Sequence, residues 1–534
     1  MADEVIGVPL PPPYKGQNDQ FPLISISSPY AERIENFNNK GGILKLRQGN
    51  DLFSTIVGVA NALAGSLNLS SYDSTTPLLF HLIVDNVGLD WRDITAGGAG
   101  VSVRTIAAGA ETEVHTLFYD NYLFYFGTGS LDVGSTGPQF WNGTAWGTSA
   151  LTWPASFNPF GGNTYKSRAY FIGESSTTYG YTELNAPAAG TVTKVDLAEL
   201  VSSKSLLYII RSATISQSVS QENVQAFIFS NGEILVYTGS YPDSSTWGLI
   251  SRLRISKPIY QNSYVDAKGD SFIFTESEIL SLRNILLYGY DKEREQGMGS
   301  TIKNRWRQIM ESINSGIPVI NQYRFVRGIY DEKNDRIVIS FPFYVDPITG
   351  TLTLNTAFQL IYDFTLQAWY EYVQTSTTGY VRSNCYHNNN VFFAFDNAIT
   401  TGRFYAYKLE GNTNFLDDAF AGAGATTAIA YKVKSAPYPL SKFGVIFNLG
   451  LETVMKSDIY SGINFQFIAD LGVQTTNAQN IDGVSGVVYK GLVNMGIIGN
   501  IVQYQISGNS SSSTYGIEVY ATNLWVSKSG GLSR

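Results

Sequence analysis

Few side chains in this sequence are suited to covalent chemistry. The one cysteine, Cys385, lies two positions before His387. On a strand, residues at that spacing share a face, so a thiol–imidazole pair is a candidate nucleophile and base. Asn388-Asn389-Asn390 follows directly and reads as a turn, which makes the end of a hairpin the simpler reading. The other histidines, His81 and His115, stand far apart, and no HExxH or GxSxG spacing occurs. Glycosidic cleavage needs two carboxyl groups at a defined separation. The candidate pairs are Glu276 with Glu278 and Asp417 with Asp418, of a kind that is usually solvated. Gly97-Gly98-Ala99-Gly100 lacks the Lys-Ser or Lys-Thr that completes a phosphate loop. A lone cysteine permits no internal disulfide and no thiolate cluster. These spacings supply no catalytic residue, no metal ligand set and no cofactor site, so the chain is expected not to be an enzyme.

The composition narrows the class further. The chain has 534 residues, enough for three or four domains or for one large β architecture. Aromatic residues make up 13%, with 51 Gly and long stretches of Ser, Thr and Asn, which favours an all-β protein. At 44% hydrophobic the chain can bury a sizeable core, which excludes disorder. A net charge of −8 argues against tight binding of a phosphate backbone. No apolar run approaches membrane-spanning length, and the opening MADEVIGVPLPPPYKGQ lacks the basic and apolar regions of a signal peptide. Synthesis in the cytoplasm without export is expected.

Three segments follow from the patterning. Residues 1–50 open with Pro9, Pro11, Pro12 and Pro13, which hold the backbone extended, and include one strand-like run, Ile43 to Arg47. This is either an extended docking arm or a frayed terminus. Residues 51–415 read as short strands separated by turns. Hairpins are expected at Asp120-Asn121, at Asn231-Gly232, through Asp331 to Asp335, and between Asp363 and Ala368. Several polar turns are followed closely by Trp: Asn142 to Trp146, Asp243 to Trp247, and Asp363 to Trp369. A Trp that plugs the gap to the next sheet, repeated, suggests a β-propeller of five to seven blades, with a sandwich pair as the alternative. One helix interrupts the strands: Ile302, Trp306, Ile309 and Ile313 fall at helical spacing within 300–315. Its Lys303, Arg305 and Arg307 read as a solvated face, and Asp291 to Glu295 before it as a charged loop. Residues 416–534 begin with a small, Gly-rich stretch, Ala419 to Ala430, and resume alternating strands, expected to form an antiparallel β-sandwich-like domain.

The segment Asn231 to Pro258, NGEILVYTGSYPDSSTWGLISRLRISKP, resembles a signature of the tail nozzle (tail tubular, distal tube) proteins of short-tailed bacteriophages. Gly232, Val236, Tyr237, Gly239, Trp247, Arg254, Ile255 and Pro258 fill its places. Lys166 to Ile172, Val326 to Ile339, Gln359 to Tyr370 with Trp369, Asn36 to Gly49 and the terminal Gly530-Gly531-Leu532 resemble other parts of that family.

The resemblance implies a virion structural protein: a propeller-containing subunit, six copies of which form a ring below the portal and adaptor. Its partners would be the adaptor, tail fibres or spikes, and genomic DNA in transit without sequence-specific binding. An acidic or neutral lumen does not grip phosphate, so DNA would slide through it. A reading from another class is a carbohydrate-binding β-propeller, such as a tail adhesin, for which the aromatics and polar loops speak. A third, a propeller glycosidase, lacks an evident carboxylate pair.

Overall fold

The computed structural model describes residues 5–528 outside a set of loop segments, the longer of which are 20–29, 58–63, 72–77, 107–113, 128–138, 317–325, 419–425, 440–445, 457–462, 482–487, 495–500 and 511–516. The Gly97-Gly98-Ala99-Gly100 run, Pro11, most of Ala419 to Ala430 and Gly530-Gly531-Leu532 lie outside the described residues.

Two-residue turns set the rhythm. Asp120 and Asn121, Lys166 and Ser167, and Asn388 and Asn389 all take positive φ, the geometry that lets a tight hairpin keep the twist of its strands. Among the described residues, strands joined this way assemble into seven blades in chain order. Blade 1 runs from Ala64–Ser71 to Val101–Ile106, blade 2 from Val114–Tyr119 to Trp146–Thr148, and blade 3 from Pro159–Tyr165 to Thr193–Asp196. Blade 4 comprises Leu207–Gln217, Ser220–Phe229, Glu233–Thr238 and Gly248–Arg254. Blade 5 has three strands, Tyr264–Ala267, Asp270–Phe274 and Ile279–Ser281. Blade 6 spans Arg327–Asp331 to Ala368–Thr375. Blade 7 is built from Tyr380–His387, Asn390–Asn397 and Arg403–Lys408, and Asp51–Val57 from the far end of the sequence adds its fourth strand.

The first strand of each blade lies innermost, and that of blade 7 packs against that of blade 1, so the ring closes. The fold is a β-propeller. Pairing the earliest propeller strand with the last blade closes the circle by hydrogen bonds rather than by packing alone.

Neighbouring blades bury separate aromatic clusters. Phe126 meets Phe171 between blades 2 and 3, and Tyr179 lies 4.6 Å from Phe227 between blades 3 and 4. Burying each such ring contributes about 1.5–3 kcal/mol. Trp247 does plug an inter-blade gap: its indole stacks on Tyr237 of its own blade and on Tyr170 of blade 3.

Between blades 5 and 6 the chain is helical: α1 (Leu282–Tyr288), α2 (Tyr290–Gln296) and α3 (Lys303–Gly316). The charged stretch Asp291 to Glu295, expected as a loop, is therefore part of α2. Ile302, Trp306, Ile309 and Ile313 are buried as their spacing requires, and Trp306 donates its indole N–H to the Thr275 carbonyl at 2.8 Å. The basic face differs from expectation, because Arg305 points inward.

The second body has two sheets around one core. One carries Ala31–Glu35, Ala430–Ser435, Ile501–Asn509 and Ile463–Ala469; the other carries Phe37–Lys40, Ile43–Leu46, Glu518–Lys528, Ile446–Lys456 and Val488–Asn494. Residues 1–50 are not a free docking arm in this chain. Their strands enter both sheets, and Val5–Leu10 pairs with Glu518–Lys528. Ala31–Glu35 also pairs in parallel with the last strand of blade 6, which covers an edge that would otherwise be open.

Candidate functional site

A polar cleft of about 410 Å³ opens between blades 3, 4 and 5. A β-bulge between Pro159 and Gly162 in the first strand of blade 3 leaves the Gly162 carbonyl facing blade 4. Arg211, in the first strand of blade 4, donates from Nη1 to that carbonyl at 2.8 Å and to the Ile210 carbonyl at 2.9 Å. Its guanidinium lies over the Tyr264 ring, with Cζ 3.4 Å from the centroid. Asp266, on blade 5, brings a carboxylate oxygen to 3.5 Å from Nε, yet Nε makes no hydrogen bond. The two side chains differ sharply in exposure, 6% for Arg211 and 56% for Asp266.

The remaining lining is uncharged or at the rim, save Asp270, a buried carboxylate that accepts from Ser281 Oγ and from the backbone N–H groups of Ser271 and Arg283. Asn163 donates to Ser212 Oγ at 3.4 Å, Thr214 donates to Asn223 Oδ1 at 2.8 Å, and Ser271 donates to Asp266 Oδ1 at 2.5 Å. Lys166 stands exposed at the edge, held to the Gly239 carbonyl at 2.8 Å. Asp266 also borders an adjoining cavity of about 410 Å³, walled by His115, Arg327 and Asn384 among others. Both volumes fall in the range of small-molecule sites.

Arg211 stands apart from the arginines buried elsewhere. Arg47 is clamped by both oxygens of Asp417 at 2.7 Å, and Asn36 takes its Nε–H. Arg305 holds Glu371 through Nε and Nη2 at 2.9 and 3.1 Å. Arg336 lies 2.8 Å from Asp331 and 2.6 Å from Glu410. Burial alone weakens the hold of each guanidinium on its proton, but the adjacent carboxylates reverse that for Arg47 and Arg336, whose pKa values rise. At Arg211 burial prevails over the more distant Asp266, and the pKa falls to about 10.

The residues singled out in the sequence are mostly structural. Gly232 has φ +86°, and a Cβ there would stand 2.2 Å from the Ile255 carbonyl; Gly239, at φ +114°, would meet the Thr246 carbonyl at 2.3 Å. Val236, Tyr237 and Ile255 are buried in blade 4, and Arg254 ends its outer strand, exposed. Pro258 bridges to Thr275, and Trp369 donates to the Met298 carbonyl at 2.8 Å.

Cys385 is buried and its thiol is pushed up, so it stays protonated, while His387 bonds Ser71 through Nδ1 at 2.9 Å. Glu278 is held by Ser256, Tyr290 and Lys303, whereas Glu276 is exposed. Asp417 belongs to the Arg47 clamp. Neither acidic pair forms a site. Sequence reasoning missed Arg211, Asp266 and Asn163, and one signal was available: Arg211 is a lone charge inside the apolar run LLYIIRSATI.

No family model matches the chain, and no curated protein does. Among solved structures, an exo-β-1,3-galactanase from Phanerochaete chrysosporium with galactose is 7% identical, with 77% of this chain and 95% of that one covered and a TM-score of 0.25. The Myceliophteria thermophila Cps50 (Swd1) β-propeller domain is 8% identical, with 67% and 99% covered and a TM-score of 0.40. A glycoside hydrolase family 43 arabinoxylan arabinofuranohydrolase from Bacillus subtilis is 10% identical, with 79% and 96% covered and a TM-score of 0.24. The expectation that the chain is not an enzyme is corrected by these matches, because glycoside hydrolases stand among them. The physical reason is that a propeller draws its site from strands far apart in sequence, so a search for local spacings cannot exclude catalysis. Likeness at this identity shows the fold and assigns no activity.

Proposed function

We propose that this chain is a virion structural protein that forms the ring-shaped tail nozzle of a short-tailed phage, extending the DNA-ejection channel below the portal and adaptor. The observation that supports this reading is the Asn231 to Pro258 signature, which folds as the outer hairpin of blade 4. Its last strand, Gly248–Arg254, pairs on one side only among the described strands. That edge carries Leu249 and Ile250, 36% and 50% exposed, beside the exposed Arg252 and Arg254. An open sheet edge with apolar side chains suits a heterologous contact repeated around a ring. The net charge of −8 suits a conduit that does not retain DNA.

Native mass spectrometry of the purified chain, alone and with its adaptor ring, tests the proposal. A six-fold assembly, or one that forms on the adaptor, is the expected result. A stable monomer that ignores the adaptor overturns it. The polar cleft between blades 3, 4 and 5 favours a second reading, a carbohydrate-binding tail adhesin, which predicts glycan affinity in the monomer.

A further inference from the structure

We propose that the cleft between blades 3, 4 and 5 takes a carboxylate-bearing sugar residue, with Arg211 anchoring the carboxylate and the Asn, Ser and Thr side chains of the wall receiving the ring hydroxyls. This rests on the carbohydrate-binding reading. The argument starts from charge. A guanidinium withdrawn from water needs an anion in good geometry, and Arg47, Arg305 and Arg336 each have one. Arg211 is equally buried, but its nearest carboxylate sits 3.5 Å from Nε without a hydrogen bond. Nη1 is committed to two backbone carbonyls. Among the described residues Nη2 has no acceptor, and Arg211 forms part of the cleft wall.

The wall selects within the anions. Asn163, Ser212, Thr214 and Asn223 offer both donors and acceptors, as a polyol requires, and a volume of about 410 Å³ exceeds what a lone inorganic anion fills. Asp266 keeps a half-exposed carboxylate beside the anchor, which penalises a dianion more than a monoanion and can accept a hydroxyl proton donor. Lys166 adds a second cation at the rim. A sugar with one carboxylate satisfies all of these demands.

Isothermal titration of the full chain with glucuronate, glucose and inorganic phosphate tests it. Glucuronate is expected to bind, with glucose and phosphate weaker by about tenfold or more, the scale of one charge-assisted hydrogen bond. Arg211→Gln is expected to abolish that preference, with circular dichroism reporting whether the propeller survives. Lys166→Gln, at an exposed position, is expected to weaken glucuronate by about threefold, so a variant that folds is in hand even if Arg211→Gln does not. Equal binding of glucose and glucuronate overturns the carboxylate assignment and leaves the carbohydrate reading intact. Binding of neither sugar overturns both. Phosphate as tight as glucuronate overturns the sugar assignment. A uronate oligosaccharide that outbinds the monosaccharide supports a glycan chain as the source, and the reverse order supports a free sugar acid.

Discussion

The seam between propeller and sandwich and the cleft between blades 3, 4 and 5 bury arginine in opposite ways. At the seam, Arg305 from α3 meets Glu371 on the last strand of blade 6, and Gln17 from the N-terminal segment donates to the same carboxylate at 3.0 Å. Arg47 and Asp417 repeat the pattern between the N-terminal segment and the start of the C-terminal one. Burial raises the proton affinity of Glu371, but Arg305, Arg33 and Gln17 outweigh it and hold the carboxyl below its ordinary range. Every partner is within the chain, so these networks specify how segments remote in sequence dock. In the cleft, Arg211 has backbone carbonyls and an aromatic face but no bonded carboxylate. The difference teaches that burial of a charge is not by itself a sign of function; the completeness of its partners separates a fastening from a receptor.

The largest effect is expected at the seam. Glu371→Ala leaves Arg305 buried without its anion and should cost about 3–5 kcal/mol in equilibrium unfolding by urea. A loss below about 1 kcal/mol would place Arg305 in water and erase the contrast. Gly232→Ala, in the blade that carries the cleft, forces a Cβ against the Ile255 carbonyl at positive φ. It should cost about 2–3 kcal/mol, read as a lowered melting temperature.

The third prediction concerns pH. Asp19 accepts from the backbone N–H groups of Asn304 and Arg305 at the start of α3, and burial raises its pKa to about 7. The folded chain therefore keeps a proton that the unfolded chain releases near 3.8. Its contribution is fully present below that value and is lost as pH rises through 7. Asp19→Asn retains the capping oxygen and should remove about 1–2 kcal/mol of the stability lost between pH 4 and 8. An unchanged pH profile in this variant would assign that slope to other groups.

The smallest effect is expected at the cleft. Arg211→Met removes a buried charge with incomplete compensation and should change stability by no more than about 1–2 kcal/mol. A loss as large as that of Glu371→Ala would make Arg211 a fastening like the others.

Much of this architecture is legible in residue order, because it rests on local physics. Turns at Asp120-Asn121 and Asn231-Gly232 follow from residues that accept positive φ, and the α3 face follows from the spacing of Ile302, Trp306, Ile309 and Ile313. Trp247, after a polar turn, identifies its blade by the gap it fills, whereas Trp369 is fastened to the helical insertion through the Met298 carbonyl. Tertiary structure alone decided the rest. Whether residues 1–50 form an arm or strands depends on partners more than 390 positions away, such as Lys434 for Glu32 and Glu518 for Lys45. Asp417 reads as a solvated acid until Arg47 is brought to it. Arg211, Asp266 and Asn163 become one site only when three blades pack side by side. Periodicity reports which face of a strand is buried, but the partner of a buried charge is set by the closure of the ring.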